Sequence, residues 1–262
     1  MLFGQDVRVD IFSFRSIALW LLGYPEAALA DINSSLKDAR EIGQAGTLLA
    51  ALNWATITHF LCRTYATSET LATDLFTLAD EQEAMVWKPA ALLYRCWLFA
   101  TAGRASEAVQ LLTSGLSACR SAGTTVLTPV GLSLLAKSYA DLGQLDDAWR
   151  SIDEAKMVIE RTKETWFEAH VHRIAGEVAL KSPRPDAAKA ETCFDQALAV
   201  ARQQQPKSWE LRAAMSLARL WRSQGKVQQA RELLAPIYGW FTEGFDTRDL
   251  KEAKALLDTL AA

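Results

Sequence analysis

Small residues recur at about forty-residue intervals along this chain, and that period constrains its fold more than any other feature. Two columns of small residues share it: the spacings are 40, 40, 40, 40 and 42 in the first and 40, 40, 40, 42 and 40 in the second. The first column consists of Ser16, Thr56, Cys96, Ala136, Gly176 and Ala218. The second consists of Ala28, Ser68, Ala108, Ala148, Ala190 and Ala230. Two columns with one period predict a repeat architecture, in which each unit packs on its neighbours, rather than one globular core.

Each unit has the pattern of two antiparallel helices joined by a tight turn. In the first unit Ile11, Phe14 and Ile17 recur at the spacing of an apolar helical face. A glycine, which suits a left-handed turn, then separates the two helices. The turn glycines are Gly23, Gly103, Gly143 and Gly225. The second unit breaks this pattern, because Arg63 stands where these units have glycine.

The period divides a single domain of residues 1–262 into six repeats, at about 9–46, 47–86, 87–125, 126–164, 165–206 and 207–239. The small columns mark where the two helices of a repeat cross, because the distance between packed helices depends on the side chains at the contact. A last helix at about 246–261 is expected to cap the array. The first repeat has no such cap, so we expect self-association through the uncapped N-terminal end.

Composition limits the classes of function. The net charge of −3 argues against a nucleic-acid binder that relies on bulk positive potential. The cysteines are scattered without a C-x-x-C pair, which is typical of reduced, buried thiols. No stretch approaches the roughly 20 apolar residues of a membrane span, and no secretion signal is recognisable. We therefore expect a cytoplasmic protein with no membrane partner and no direct nucleic-acid partner.

The sequence shows no catalytic constellation, so no enzyme activity is expected. Gly225-Lys226 alone does not make a phosphate-binding loop. His170 and His172 are two residues apart, so a helix turns them roughly 200° away from each other and they cannot chelate one metal together. The paired carboxylates lie near turns and are interpreted as solvated helix faces. We expect no cofactor and no metal.

Two stretches of the sequence resemble the tetratricopeptide repeat (TPR). They are Ala190 to Leu198, with the large Phe194 between small residues, and Gly143 to Ala148. The resemblance implies an all-α fold, a right-handed α-solenoid of about six TPR-like helix-turn-helix repeats followed by the capping helix. The period of 40 exceeds the roughly 34 residues of that family, which implies longer helices or linkers.

The second half resembles a narrower group, the C-terminal TPR region of large bacterial signalling proteins. The residues that carry this resemblance are Gly176-Glu177, 201–205, 208–221 and 233–246. Proteins of that group join an adenylate/guanylate cyclase-like or DNA-binding domain to a predicted ATPase and then to TPRs. The resemblance implies a fragment or stand-alone relative of the repeat region, with upstream ATPase or output domains as partners. The cyclase and ATPase activities are not implied, because their motifs are missing here.

In a TPR superhelix the first helix of each repeat lines a concave groove, and the resemblance implies which residues of this chain face it. The implied groove residues are Trp20, Asn53, Ile57, Trp97, Lys137, His170, Arg173, Glu177, Arg212, Arg219 and Arg222. The tryptophans could instead be core residues, since core packing is the commoner role. The three last arginines share one helical face, either as solvated side chains or as a site for a carboxylate-rich ligand.

Three functions follow from this interpretation. The leading hypothesis is a non-catalytic protein-interaction scaffold, the regulatory or sensor region of a bacterial signalling protein, which binds a peptide or partner domain in its groove. The alternative is a sensor that closes its groove around a metabolite or another anionic ligand. An enzyme is the third, and the missing motifs argue against it.

Overall fold

The computed structural model describes residues 5–121, 123 and 126–261, and these residues form thirteen α-helices and no strand. Twelve of the helices make six consecutive antiparallel pairs, and the thirteenth follows them. The pairs are α1 (Val7–Leu22) with α2 (Pro25–Ile42), α3 (Ala45–Leu61) with α4 (Tyr65–Glu81), α5 (Trp87–Thr101) with α6 (Ala105–Ser121), α7 (Thr128–Asp141) with α8 (Leu145–Thr162), α9 (Glu168–Leu180) with α10 (Ala187–Gln204), and α11 (Lys207–Ser223) with α12 (Val227–Tyr238). The last helix is α13 (Arg248–Thr259).

This architecture confirms the predicted α-solenoid of helical repeats. The bounds of the six repeat intervals remain a prediction, and residues 122, 124 and 125 of the third interval lie outside the described residues. Helix α13 is shorter than the predicted 246–261. Its apolar face, which includes Leu250, Ala253 and Leu256, is buried.

The turns between paired helices depend on left-handed backbone. Gly23, Gly103, Gly143 and Gly225 have φ between 75° and 92°, where a residue without a Cβ is unstrained. Arg63 adopts the same conformation in the second repeat, with φ of 61°. A non-glycine residue in this region costs on the order of 1 kcal/mol or more, so its side chain must be useful elsewhere.

Both columns of small residues lie at the contact between the paired helices. Within the second column Ala28, Ala108, Ala148, Ala190 and Ala230 are fully buried. In the second repeat the hydroxyl of Ser68 donates to the backbone carbonyl of Thr56 at 2.9 Å, which joins the two columns directly. In the fifth repeat a Cβ added at Gly176 would lie 2.4 Å from the ring of Phe194. The columns are small because the partner helix occupies the space.

The first repeat packs against the last, so the solenoid closes on itself. The rings of Trp20 and Trp209 meet edge to face with centroids 4.8 Å apart, and helix α1 contacts helix α11. The hydroxyl of Ser208 donates to the backbone carbonyl of Trp20. We call this junction between the first two repeats and residues 207–252 the seam.

Residues that follow α12 complete the seam by capping α2 from a distance. Tyr24, at the N-cap of α2, makes no side-chain capping bond. Instead Glu243 accepts a hydrogen bond from the backbone N–H of Ala27 at 3.0 Å, and Glu26 accepts one from Gly244 at 2.8 Å. A carboxylate at a helix N-terminus satisfies free N–H groups and interacts favourably with the helix dipole. The end of the first repeat is therefore partly covered by the chain itself.

The four cysteines are free and buried, as the sequence analysis expected for Cys62, Cys96, Cys119 and Cys193. Burial raises the pKa of the Cys62 thiol to about 12 and that of Cys96 to about 11. Across the described residues, no helix is long and apolar enough to cross a membrane.

The helix crossing at Gly176 gives a stability prediction with a matched control. Replacing Gly176 with Ala should destabilise the protein by about 1–3 kcal/mol, because the new methyl overlaps the Phe194 ring. Replacing Gly115 with Ala, also inside a helix, should stabilise it by about 0.5–1 kcal/mol, since the nearest atom to the added Cβ is an ordinary 3.5 Å away. Urea unfolding of both variants measures the two changes, and equal effects would contradict this account of the column.

Candidate functional site

Closure of the solenoid leaves a partly open cavity of about 220 Å³. Its walls come from α3, α4 and the turn between them and from helices α5, α7, α9, α11 and α13, so the second repeat and the C-terminal helices both contribute to it. Six cationic side chains line it: Arg63, Lys137, Arg173, Arg212, Arg219 and Arg248. Three carboxylates also line it: Glu177, Asp249 and Glu252. The cavity is therefore cationic although the chain is acidic overall.

A buried carboxylate shared by two arginines joins the second repeat to the sixth. Asp249 accepts from Nη1 of Arg63 at 3.1 Å and from Nη2 of Arg212 at 2.6 Å. Arg63 also lies 3.0 Å from Glu252. We call these four residues the clasp. Burial opposes ionisation of Glu252, but hydrogen bonds from Arg63 and Arg248 outweigh it and lower the pKa of Glu252 below its ordinary value.

Arg212 is the most constrained member of the clasp. Its guanidinium lies beside both Trp20 and Trp209, at 4.9 and 5.1 Å from their ring centroids. It also donates to the backbone carbonyl of Leu61 at the end of α3. Cation–π contacts strengthen when the cation is desolvated, and the Arg212 side chain is only 13% exposed. The geometry fits a planar arginine and would not suit a lysine.

The deepest part of the cavity carries His170 and Arg173, one turn apart on α9. His170 is buried and its imidazole packs on the indole of Trp209 with centroids 4.9 Å apart. Burial, followed by the charges of Arg173 and Arg212, holds the pKa of His170 well below its ordinary value. Nη1 of Arg173 donates to Glu177. We call His170, Arg173 and Arg212 the floor.

Three further cations surround the entrance. The side chains of Lys137, Arg219 and Arg248 are 35%, 45% and 55% exposed. Arg219 and Arg248 share Glu252, at 3.3 and 3.0 Å, while Lys137 lies 3.6 Å from Asp141. We call these three cations the rim. They are more exposed than the floor, where the side chains of Arg173 and Arg212 are 15% and 13% exposed.

The structure brings six of the predicted groove residues together around this cavity: Lys137, His170, Arg173, Glu177, Arg212 and Arg219. Arg222 does not line it and donates to the hydroxyl of Thr259. The remaining predictions are corrected, because Trp20, Asn53, Ile57 and Trp97 are buried.

Three of these buried residues have a partner that explains their burial. Trp20 is covered by Trp209 across the seam. Trp97 packs on Phe60 and Tyr94, with centroids 5.1 and 4.9 Å away. Asn53 accepts a hydrogen bond from the Tyr94 hydroxyl at 2.6 Å. Trp20 and Trp97 are therefore core residues, which is the commoner role of tryptophan, rather than groove residues.

Sequence reasoning missed four residues of this site: Arg63, Arg248, Asp249 and Glu252. Arg63 carried a signal, because it interrupts the column of turn glycines. The other three belong to α13, which was interpreted only as a cap. Nothing in the local pattern of α13 shows that its polar face meets the second repeat, since that contact requires closure of the whole array.

No group of three or more His, Cys, Asp or Glu residues that could hold a metal ion occurs among the described residues. The chemistry of the cavity is that of N–H donors and positive charge. Such a site recognises carboxylate or other anionic groups through charge-assisted hydrogen bonds.

Comparisons with known proteins agree with this fold. No protein-family model and no curated protein matches the chain. Among solved structures it is similar to NprR in complex with its cognate peptide NprX, with 14% identity and a TM-score of 0.67 over 98% of this chain and 72% of that one. It is also similar to the apo form of RapI, with 13% identity and a TM-score of 0.62 over 97% of this chain and 86% of that one. A Rap protein complexed with competence and sporulation factor is similar too, with 12% identity and a TM-score of 0.61 over 97% of this chain and 75% of that one. These similarities show the fold, an α-solenoid of TPR-like helical repeats.

The clasp gives a prediction about closure. Replacing Asp249 with Asn should cost about 3 kcal/mol, because it leaves two largely buried arginines without their shared charge. Replacing Asp258 with Asn is the control: it removes an exposed pair with Lys254 on the same helix, of the kind worth about 0.3–0.5 kcal/mol. Thermal unfolding and the radius of gyration from small-angle X-ray scattering distinguish the Asp249→Asn variant from the Asp258→Asn control. The role of the clasp would be contradicted if the Asp249→Asn variant stayed compact and had the same melting temperature as the Asp258→Asn control.

The histidines give a prediction about pH. Burial lowers the pKa of His59, His170 and His172 alike. Below the ordinary histidine pKa these histidines bind protons in the unfolded chain but stay neutral in the folded chain. The free energy of unfolding should therefore fall as pH drops from about 7.5 to about 5.5. The fall should be at most about 1.4 kcal/mol per pH unit for each histidine. Urea unfolding across that range should show a smaller decline for His170→Gln. Equal slopes would mean that His170 protonates as readily in the folded chain.

Proposed function

We propose that this chain is a non-catalytic interaction scaffold that binds an acidic peptide or partner domain on its concave face. The observation that carries the proposal is the cationic rim, formed by Lys137, Arg219 and Arg248 around the central cavity. These side chains are exposed enough to reach a ligand that stays outside the cavity. Charge complementarity of this kind raises association rates and selects acidic partners.

Two similar structures support a peptide as the ligand. NprR is in complex with its cognate peptide NprX, and a Rap protein is complexed with competence and sporulation factor. Both have the fold described here. Their identity to this chain is low, so the proposal depends on the rim for the choice of ligand.

The resemblance of residues 233–246 to bacterial signalling proteins supports a cellular role. In that setting the chain is a cytoplasmic regulatory or sensor region, and its partner is an ATPase or output domain in the same or another chain. Self-association through the first repeat remains a prediction. It is favoured by Val7, Ile11 and Phe14, which are exposed along one face of α1.

The alternative is a sensor of a small anionic ligand, and one observation favours it specifically. Closure leaves about 220 Å³ at the centre, which is below the roughly 300–1,000 Å³ of ordinary ligand pockets. An extended peptide does not fit there, whereas a small anion does. The two functions are compatible, since the rim and the floor are different surfaces.

Neutralising the rim tests the scaffold proposal. Lys137→Gln with Arg219→Gln should weaken binding of a captured partner or acidic peptide at least tenfold, because two charge-assisted contacts are lost. The matched control is Lys37→Gln with Arg150→Gln, which removes the same charge from side chains that are 74% and 76% exposed on second helices. Affinity purification with mass spectrometry identifies the partner, and isothermal titration calorimetry measures each affinity.

The result expected is loss of the partner from the rim variant and its retention by the control. Thermal unfolding of both variants establishes that they fold. A partner that binds both variants with the wild-type affinity would contradict the proposal.

A further inference from the structure

Two N–H donors on the floor of the cavity have nothing to bind. Nε2 of His170 and Nε of Arg173 are buried and have no hydrogen-bond partner among the described residues. The His170 side chain is 93% buried, at a relative exposure of 7%. Buried donors are almost always paired in folded proteins, because an unpaired one loses its water without gaining a partner. Both donors lie on residues that line one cavity.

The tautomer of His170 follows from its neighbour. Its Nδ1 lies 3.4 Å from Nη2 of Arg173. A guanidinium only donates hydrogen bonds, so Nδ1 must accept, and a neutral imidazole then carries its proton on Nε2. The surroundings favour the neutral form, because burial and then the charges of Arg173 and Arg212 lower the pKa of His170. The group at Nε2 is therefore a donor that requires an acceptor.

The occupant must supply acceptor oxygens and negative charge, and it must be small. The cavity holds about 220 Å³, and its lining cations outnumber its lining carboxylates by six to three. All three carboxylates are already paired with arginines. A carboxylate has two oxygens in one plane and can accept from two N–H donors at once.

We propose that the floor binds the carboxylate of a small organic acid, with His170 Nε2–H and Arg173 Nε–H as the donors. Arg212 supplies a further positive charge and, through Trp20, Asp249 and Leu61, connects the floor to both ends of the chain. The site is complete only when the seam is closed. A bound acid therefore stabilises the closed solenoid and fixes the spacing of the rim cations.

This inference deepens the proposed function, because it assigns the cavity beneath the rim to a second ligand. The scaffold proposal and the floor-site proposal can each fail without the other. Loss of the partner from the rim variant with no acid bound would refute only the floor site. Acid binding with no dependence of the partner on the rim would refute only the scaffold proposal.

Calorimetry of the full chain with acetate, succinate, citrate and inorganic phosphate at constant ionic strength tests the site. We expect at least one carboxylate to bind with a dissociation constant below about 1 mM, and to raise the melting temperature. A short peptide with a free C-terminus and its amidated form make a further arm. Binding of the free-terminus peptide alone would assign the floor to a chain terminus and overturn the small-acid proposal.

Three histidine variants separate the donor from general packing. His170→Asn keeps an acceptor near the Nδ1 position and loses the Nε2 donor, so it should weaken acid binding at least tenfold. His170→Gln can place an amide N–H near the Nε2 position and should retain most of the affinity. His172→Asn, on the same helix but lining a separate cavity between α8 and α9, is the control and should bind as the wild type does.

A direct readout completes the test. In ¹⁵N-histidine NMR spectra the Nε2-protonated tautomer of His170 should be present, and its Nε2 resonance should shift when the acid is added. The proposal is overturned if no carboxylate binds at about 10 mM, if phosphate binds more tightly than every carboxylate, or if His170→Asn and His172→Asn have equal effects.

Discussion

The carboxylate of Asp249 joins the second repeat of this solenoid to the sixth, and the rest of the architecture depends on that contact. It holds Arg63 from the second repeat and Arg212 from the sixth within one largely buried cluster. Without it the cavity walls from the second repeat and from α11 and α13 would lose this shared contact. Breaking such a pair is costly because it strands charge away from water. The clasp therefore determines the shape of the concave surface.

Local features of the structure were predictable from the sequence, and closure was not. The forty-residue period predicted the helix pairs, and the small columns lie where those helices cross, as at Ser68 and Thr56. Periodicity describes contacts between neighbouring repeats. Closure depends on the curvature accumulated over six repeats, which no local pattern reports. Trp20 was placed in the groove for this reason, although Trp209 covers it across the seam.

Charge is distributed unevenly in this fold, which the overall net charge of −3 does not reveal. Acidic residues slightly outnumber basic ones in the whole chain, 31 to 28, whereas cations outnumber carboxylates in the cavity by six to three. The register of the repeats predicted Lys137, His170 and Arg219 as inward-facing residues. It could not predict Arg63 and Arg248, since one lies in a turn and the other in the terminal helix. Arg63 shows that an interrupted repeat pattern can mark a long-range contact, here with Asp249 and Glu252, rather than simple degeneracy.

Glu243, which caps α2 from 216 residues away, has a consequence for how the chain unfolds. A linear repeat array loses structure progressively from its ends, because a terminal unit has only one neighbour. Here the start of α2 is held by the segment after α12, so the first repeat has a second neighbour. Fraying of either end must break the same contacts. The unfolding transition of this solenoid should therefore be more cooperative than that of an open array of the same length.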